Sequence, residues 1–134
     1  MIHHKKGFTM IELLVVATIL AVLAAAAMVS YSSVNIKSRD SKRLSDLEQV
    51  RSALEMYRAD NGNYLIGSWS DLSALKTDGY IDKLPVDPKN VNPYTYTSDA
   101  TGATYSMCAD IEGPPPANPS CTCSSPYDYC VKNP

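Results

Sequence analysis

Beyond its first third the sequence lacks the material of a large core. It contains one Trp and one Phe, and that Phe is Phe8, so residues 62–134 have no phenylalanine and no long apolar run. Pro, Gly, Asn, Asp and Ser crowd the same segment, which implies a small, loop-rich module held by more than hydrophobic burial. Histidine occurs only as His3 and His4, leaving the rest of the chain without an imidazole base, proton shuttle or metal ligand. No phosphate-cradling glycine loop and no nucleophile motif is present, so the chain reads as a non-enzyme. Basic charge is also scarce: 12 Lys and Arg against 14 Asp and Glu give a net charge of -2. A nucleic-acid surface is therefore not indicated.

What is present is concentrated at the front. Phe8 to Val29 is 22 residues with a single ionisable side chain, Glu12. As an α-helix it would rise to roughly 33 Å, enough for a hydrocarbon core of about 30 Å. The segment MIHHKKG before it carries His3, His4, Lys5 and Lys6, a targeting arrangement. Three readings compete. An ordinary secretory signal would end at the small residues Ala24 to Ala27; a permanent anchor would keep the whole segment; a short leader would be cut between Gly7 and Phe8, leaving the apolar helix on the mature chain. Glu12 distinguishes them, because a carboxylate within a spanning helix costs on the order of 2.5–3.5 kcal/mol at its centre and needs a partner. Cleavage after Gly7 would place a new amine on Phe8, four residues before Glu12. In a staggered copy, each charge could then neutralise the other's and fix register.

The run Lys5-Lys6-Gly7-Phe8-Thr9-Met10-Ile11-Glu12-Leu13-Leu14-Val15-Val16 resembles the leader and N-terminal helix of type IV pilins and type II secretion pseudopilins. The resemblance implies cleavage by a prepilin peptidase after Gly7, methylation of the Phe8 amine, and a role for Glu12 in guiding assembly. It also implies partners: identical subunits in a helical filament, an assembly platform protein, an ATPase that supplies the work, and membrane lipid. Many members carry Gly at the position of Ala21 and Pro at that of Val29. With neither here, the helix backbone bonds stay intact. Two lysines precede the apolar segment, and Lys37, Arg39, Lys42 and Arg43 follow it. That count opposes the positive-inside rule, but leader type and tail cysteines place the C-terminal domain outside.

Neither Gly nor Pro occurs from Phe8 to Asn61. Leu44, Leu47, Val50, Leu54 and Tyr57 recur at helical spacing, with charged residues between them read as a solvated face. Glu48 with Arg51, and Glu55 with Arg58, are spaced to pair. Asn61-Gly62 supplies a stop. If helical throughout, Thr9 to Asn61 spans about 80 Å, which predicts a lollipop: an α+β fold with a long helix on a small antiparallel sheet. The divisions are 1–7 leader, 8–29 membrane and assembly half, 30–61 amphipathic half, and 62–134 the loop-rich β module.

In that module, Ser70 to Tyr80 predicts a short helix, and Tyr94–Thr97, Ala103–Ala109 and Tyr127–Val131 predict strands, the first two joined by a turn at 98–102. Gly113 to Pro119 reads as a surface loop. Leu84-Pro85-Val86-Asp87-Pro88 followed by Pro93-Tyr94 resembles the loop of major secretion pseudopilins, where calcium binds. Calcium takes about six to eight hard oxygen ligands, and the Leu84 carbonyl, Asp87, Ser98 and Asp99 could contribute some, although Asp-Pro and Asp99 also suit turns without metal. No cofactor is otherwise required. Cys108, Cys121, Cys123 and Cys130 lie in the last 27 residues and predict disulfides formed outside the cytoplasm. Of three pairings, one containing Cys121–Cys123 is disfavoured by its tight loop.

The leading reading is a type IV pilus subunit, single-pass in the cytoplasmic membrane and then part of an extracellular or periplasmic filament. The alternatives are a major pseudopilin of type II secretion, and a secreted disulfide-rich binding protein cut after Ala24 to Ala27.

Overall fold

A run of 52 residues without a helix breaker forms one helix, α1, Met10–Asn61. Thr9 caps its start instead of opening it. The Glu12 backbone N–H donates to Thr9 Oγ1 at 3.3 Å, and Glu12 Oε2 accepts from the Thr9 N–H and hydroxyl, each at 2.8 Å. This is the reciprocal pattern of a capping box. At the other end Gly62, at φ 87°, donates its N–H to the Arg58 carbonyl at 2.7 Å, the left-handed closure for which glycine is suited.

The computed structural model describes residues 7–116 and 121–133, with side chains other than those at 29 and 30. Lys5, Lys6 and residues 117–119 of the expected proline-rich loop lie outside the described residues. The chain divides into two compact units, Met1–Asn35 and Ile36–Pro134. In the first, the described side chains from Phe8 to Met28 are exposed, so this helix has no core of its own. Its Thr18 hydroxyl donates to the Val15 carbonyl at 2.8 Å, which satisfies a polar group that lipid would not.

In the second unit a 3₁₀ turn at Trp69–Leu72 leads into α2, Ser73–Thr77, where a single helix over 70–80 was expected. The strands are β1, Thr95–Ser98, β2, Tyr105–Ala109, and β3, Tyr129–Lys132. They form an antiparallel sheet in the order β1-β2-β3. Register pairs Tyr96 with Met107 and Met107 with Val131. Alternation puts these on the face that joins Leu47, Val50, Ala53 and Leu54 of α1 in the core. The opposite face carries Ser106, Cys108, Cys130 and Lys132. Asp99 shapes the β1–β2 turn: its Oδ1 accepts from the Ala103 N–H at 2.7 Å, and its Oδ2 from the Thr101 hydroxyl at 2.8 Å. Gly102, at φ 67°, closes this turn and passes its carbonyl to the Tyr64 N–H at 2.8 Å. A Cβ there would stand 2.6 Å from the Tyr64 carbonyl oxygen.

Tyr64 also corrects one expected ion pair. Glu55 and Arg58 meet through its hydroxyl, which donates to Glu55 Oε1 at 2.8 Å and accepts from Arg58 Nη1 at 2.9 Å. Glu48 and Arg51 do pair directly, at 3.5 Å. The Tyr105 ring packs edge-on against Tyr64 with centroids 4.6 Å apart. Its buried hydroxyl has no hydrogen-bond partner among the described residues.

Candidate functional site

The first unit gathers the residues expected to be processed and to assemble. Gly7 and Phe8 lie just before the helix cap, and both are exposed, Phe8 at 84 %. A peptide bond in irregular, accessible backbone can reach a peptidase, whereas one inside α1 is held by helical hydrogen bonds. Glu12 lies in the first turn of α1, where a carboxylate also meets the positive end of the helix dipole. Both capping bonds use Oε2. The Thr-x-x-Glu spacing that signals this cap was legible in the sequence, yet only the assembly role of Glu12 was read from it.

The second unit contains an ion cluster that sequence reasoning missed. Arg43 and Asp46 were placed on a solvated helix face, but they are 2 % and 1 % exposed. Arg43 Nε donates to Asp87 Oδ2 at 2.5 Å, and its Nη1 donates to Asp40 Oδ1 at 2.8 Å and Glu112 Oε1 at 3.0 Å. Arg39 grips Glu112 with two bonds of 2.6 Å, and Lys89 Nζ reaches the same carboxylate at 2.6 Å. Asp40 in turn accepts the backbone N–H groups of Glu112 and Gly113, at 3.0 and 2.9 Å. Three cations thus balance three carboxylates. The cluster ties the segments around 87–89 and 112–113 to α1. Nearby, Asp46 accepts from Lys42 Nζ at 2.7 Å and from the Tyr94 hydroxyl at 2.9 Å.

Electrostatics follow the geometry. Arg39 above all, with Lys89 and Arg43, holds the Glu112 carboxyl well below the usual carboxylate range. Burial pushes Asp87 up, but Arg43 and the N–H groups of Lys89 and Asn90 outweigh it, so its titration is lowered. Burial likewise disfavours the Arg43 charge, and the three carboxylates reverse that, raising it. The Tyr94 hydroxyl is raised by burial and then by Asp46.

The expected calcium set gains no support from these partners. Asp87 faces a guanidinium and accepts the Lys89 and Asn90 N–H groups at 2.9 and 3.0 Å, so a second cation there would meet repulsion. Asp99 is engaged within its turn, and Ser98 Oγ accepts the Gly67 N–H at 3.1 Å. The Leu84 side chain packs against the core, which leaves the expectation for its carbonyl untested.

The four cysteines are joined as Cys108–Cys123, with Cα atoms 6.2 Å apart, and Cys121–Cys130, at 5.5 Å. Both bridges avoid the tight Cys121–Cys123 closure. Together they fasten the Cys-Thr-Cys segment across β2 and β3.

A family model described as the prokaryotic N-terminal methylation motif matches residues 2–28. Type II secretion system core protein G of Pseudomonas aeruginosa is 34 % identical over 124 residues, covering 81 % of this chain and 86 % of its own. The protein of the same name from Pectobacterium carotovorum is 35 % identical over 99 residues, covering 64 % of this chain and 63 % of its own. That from Vibrio cholerae is 33 % identical over 117 residues, covering 78 % and 79 %. No solved structure matches the chain.

Proposed function

From the premise that this chain belongs to the type II secretion system core protein G family of pilin-like proteins, we propose that it is a major pseudopilin, a structural subunit of a secretion pseudopilus. The relatives favour this over the type IV pilus reading, which was first in order from sequence alone. Members of the family are structural subunits, not enzymes.

In this reading residues 1–7 are a leader removed between Gly7 and Phe8, and residues 8–29 are the membrane and assembly half of α1. Residues 30–61 form its amphipathic half, and 62–134 the exported module. Before assembly the chain crosses the cytoplasmic membrane once with its C-terminal module outside; afterwards it sits in a periplasmic filament. Its partners are identical subunits, a prepilin peptidase, a platform protein with its ATPase, and lipid. Glu12 meets the Phe8 amine of a neighbouring subunit and sets register, because an unpaired carboxylate among apolar helices is heavily penalised. The observation that carries the reading is the exposed apolar face from Phe8 to Met28, which demands lipid or like helices around it. The reading assigns no cofactor a role; Asp87 and Asp99 accept from protein donors.

Mass spectrometry of the mature chain tests processing: the reading expects a start at methylated Phe8. A start near Met28 would establish simple secretion instead. Glu12→Gln should leave the membrane-inserted subunit intact and abolish filaments, and filaments of ordinary abundance from that variant would sink the assembly role. Deleting the chain's gene should stop release of exported proteins; loss of long surface fibres alone would restore the pilus reading.

A further inference from the structure

Cys108 and Cys130 stand directly opposite each other in the β2–β3 register, yet each is bonded elsewhere. Opposed residues of an antiparallel pair have Cα atoms about 4.5 or 5.5 Å apart. Both values fall inside the roughly 4.4–6.8 Å that a disulfide spans. The Sγ atoms of Cys108, Cys123 and Cys130, drawn from two different bridges, lie within 4.8 Å of one another. Burial divides the four residues. Cys108 and Cys130 are buried on strands, while Cys121 and Cys123 are half-buried on an irregular segment. A reagent arriving from water therefore meets Cys121 or Cys123 first, and a thiolate generated on Cys130 starts beside the other bridge.

We propose that this four-sulfur cluster is a thiol–disulfide exchange site, at which a dithiol oxidoreductase removes one bridge and the surviving bridge settles between Cys108 and Cys130. A thiolate of the oxidoreductase attacks Cys121 Sγ, the Cys121–Cys130 bond breaks, and Cys130 leaves as a thiolate. Cys130 then attacks Cys108 Sγ, forming Cys108–Cys130 and expelling Cys123, which takes up a proton. The second thiol of the oxidoreductase attacks the mixed disulfide and releases Cys121 as a thiol. The chain gains two electrons and two protons, and the dithiol becomes a disulfide.

The product differs from the starting molecule in what is stapled. Two bridges fasten the Cys121–Cys123 segment to the sheet; the single product bridge fastens β2 to β3 and lets that segment go. Core packing is not asked to change, because Met107 and Val131 point to the opposite face from Cys108 and Cys130. The outer face of the sheet thereby becomes a surface whose covering is set by redox conditions.

The full chain in detergent, treated with a limiting amount of dithiothreitol as the dithiol and then alkylated, gives a direct test. Cleavage before Asp110 and Asp128 puts Cys108, the Cys121 and Cys123 pair, and Cys130 on three separate peptides. The expected main product of partial reduction joins the Cys108 and Cys130 peptides and releases the middle peptide with two alkyl groups. A main product in which the middle peptide stays linked to either neighbour overturns the proposal. Independently, the double variant C121S/C123S in oxidised glutathione should form Cys108–Cys130; two thiols that remain alkylatable in this variant overturn it as well.

Discussion

Arg43 is the residue that joins three carboxylates of the second unit. Its side chain is 3 % exposed among Asp40, Asp87 and Glu112, and that of Asp87 beside it is equally buried. A buried pair of this kind stabilises little in net terms, because desolvation opposes the attraction, but removing one partner leaves an uncompensated charge. Arg43→Ala should therefore destabilise the second unit by about 3–5 kcal/mol, measured by urea denaturation of the full chain in detergent with tyrosine near-ultraviolet dichroism as the signal. A loss below about 1 kcal/mol would mean that Arg43 behaves as an ordinary surface ion pair. Arg39→Ala should cost less, since Lys89 and Arg43 still hold Glu112.

At the scale of elements, two segments that make no sheet of their own, 87–89 and 112–113, are held to α1 by carboxylates. Glu112 and Asp87 both titrate lower in the folded chain than in an unfolded one, so unfolding takes up protons as the solution is acidified. The stability they contribute is complete above their unfolded values, near pH 4, and is lost as pH falls toward the folded ones. The melting midpoint of the second unit should accordingly hold level from pH 7 to about 5 and drop steadily below about 4. A midpoint that stays level down to pH 2.5 would show that these carboxylates do not support the fold. The β1–β2 turn adds to the same trend, because the Thr101 hydroxyl and several backbone N–H groups lower Asp99.

For the whole molecule, the proposed role asks one chain to be stable in two solvents. In that role the apolar part of α1, exposed from Phe8 to Met28, would take its surroundings from lipid or from other subunits. The small sheet obtains its rigidity from two disulfides and one ion cluster, where a larger domain would rely on core volume. If Arg43 supplies the positive charge between carboxylates, thermal midpoints measured in excess calcium and in excess chelator should agree within about 2 °C, a shift equivalent to well under 1 kcal/mol for a unit of this size. A calcium-dependent rise of 5 °C or more would return Asp87, Asp99 or other oxygens to consideration as ligands.

The sequence by itself determined what periodicity and breakers control: a single helix ending at Asn61, an apolar segment long enough to span a membrane, three short strands placed within two residues, and cysteines that avoid the Cys121–Cys123 bridge. Local rules suffice there, because hydrogen bonds between near neighbours and the turn preference of Gly62 decide the outcome. The N-terminal methylation motif was legible because its residues are contiguous. Only the tertiary structure decided which charges leave water. Arg43 and Asp46 share their helix spacing with solvated residues, and nothing in the local text shows that Asp87 and Glu112 return 44 and 69 residues later to cover Arg43. Cysteine pairing was settled the same way: Cys108 bonds Cys123 and Cys130 bonds Cys121, and spacing along the chain left that choice open. Long-range burial is set by what packs over a residue, and that information belongs to the fold.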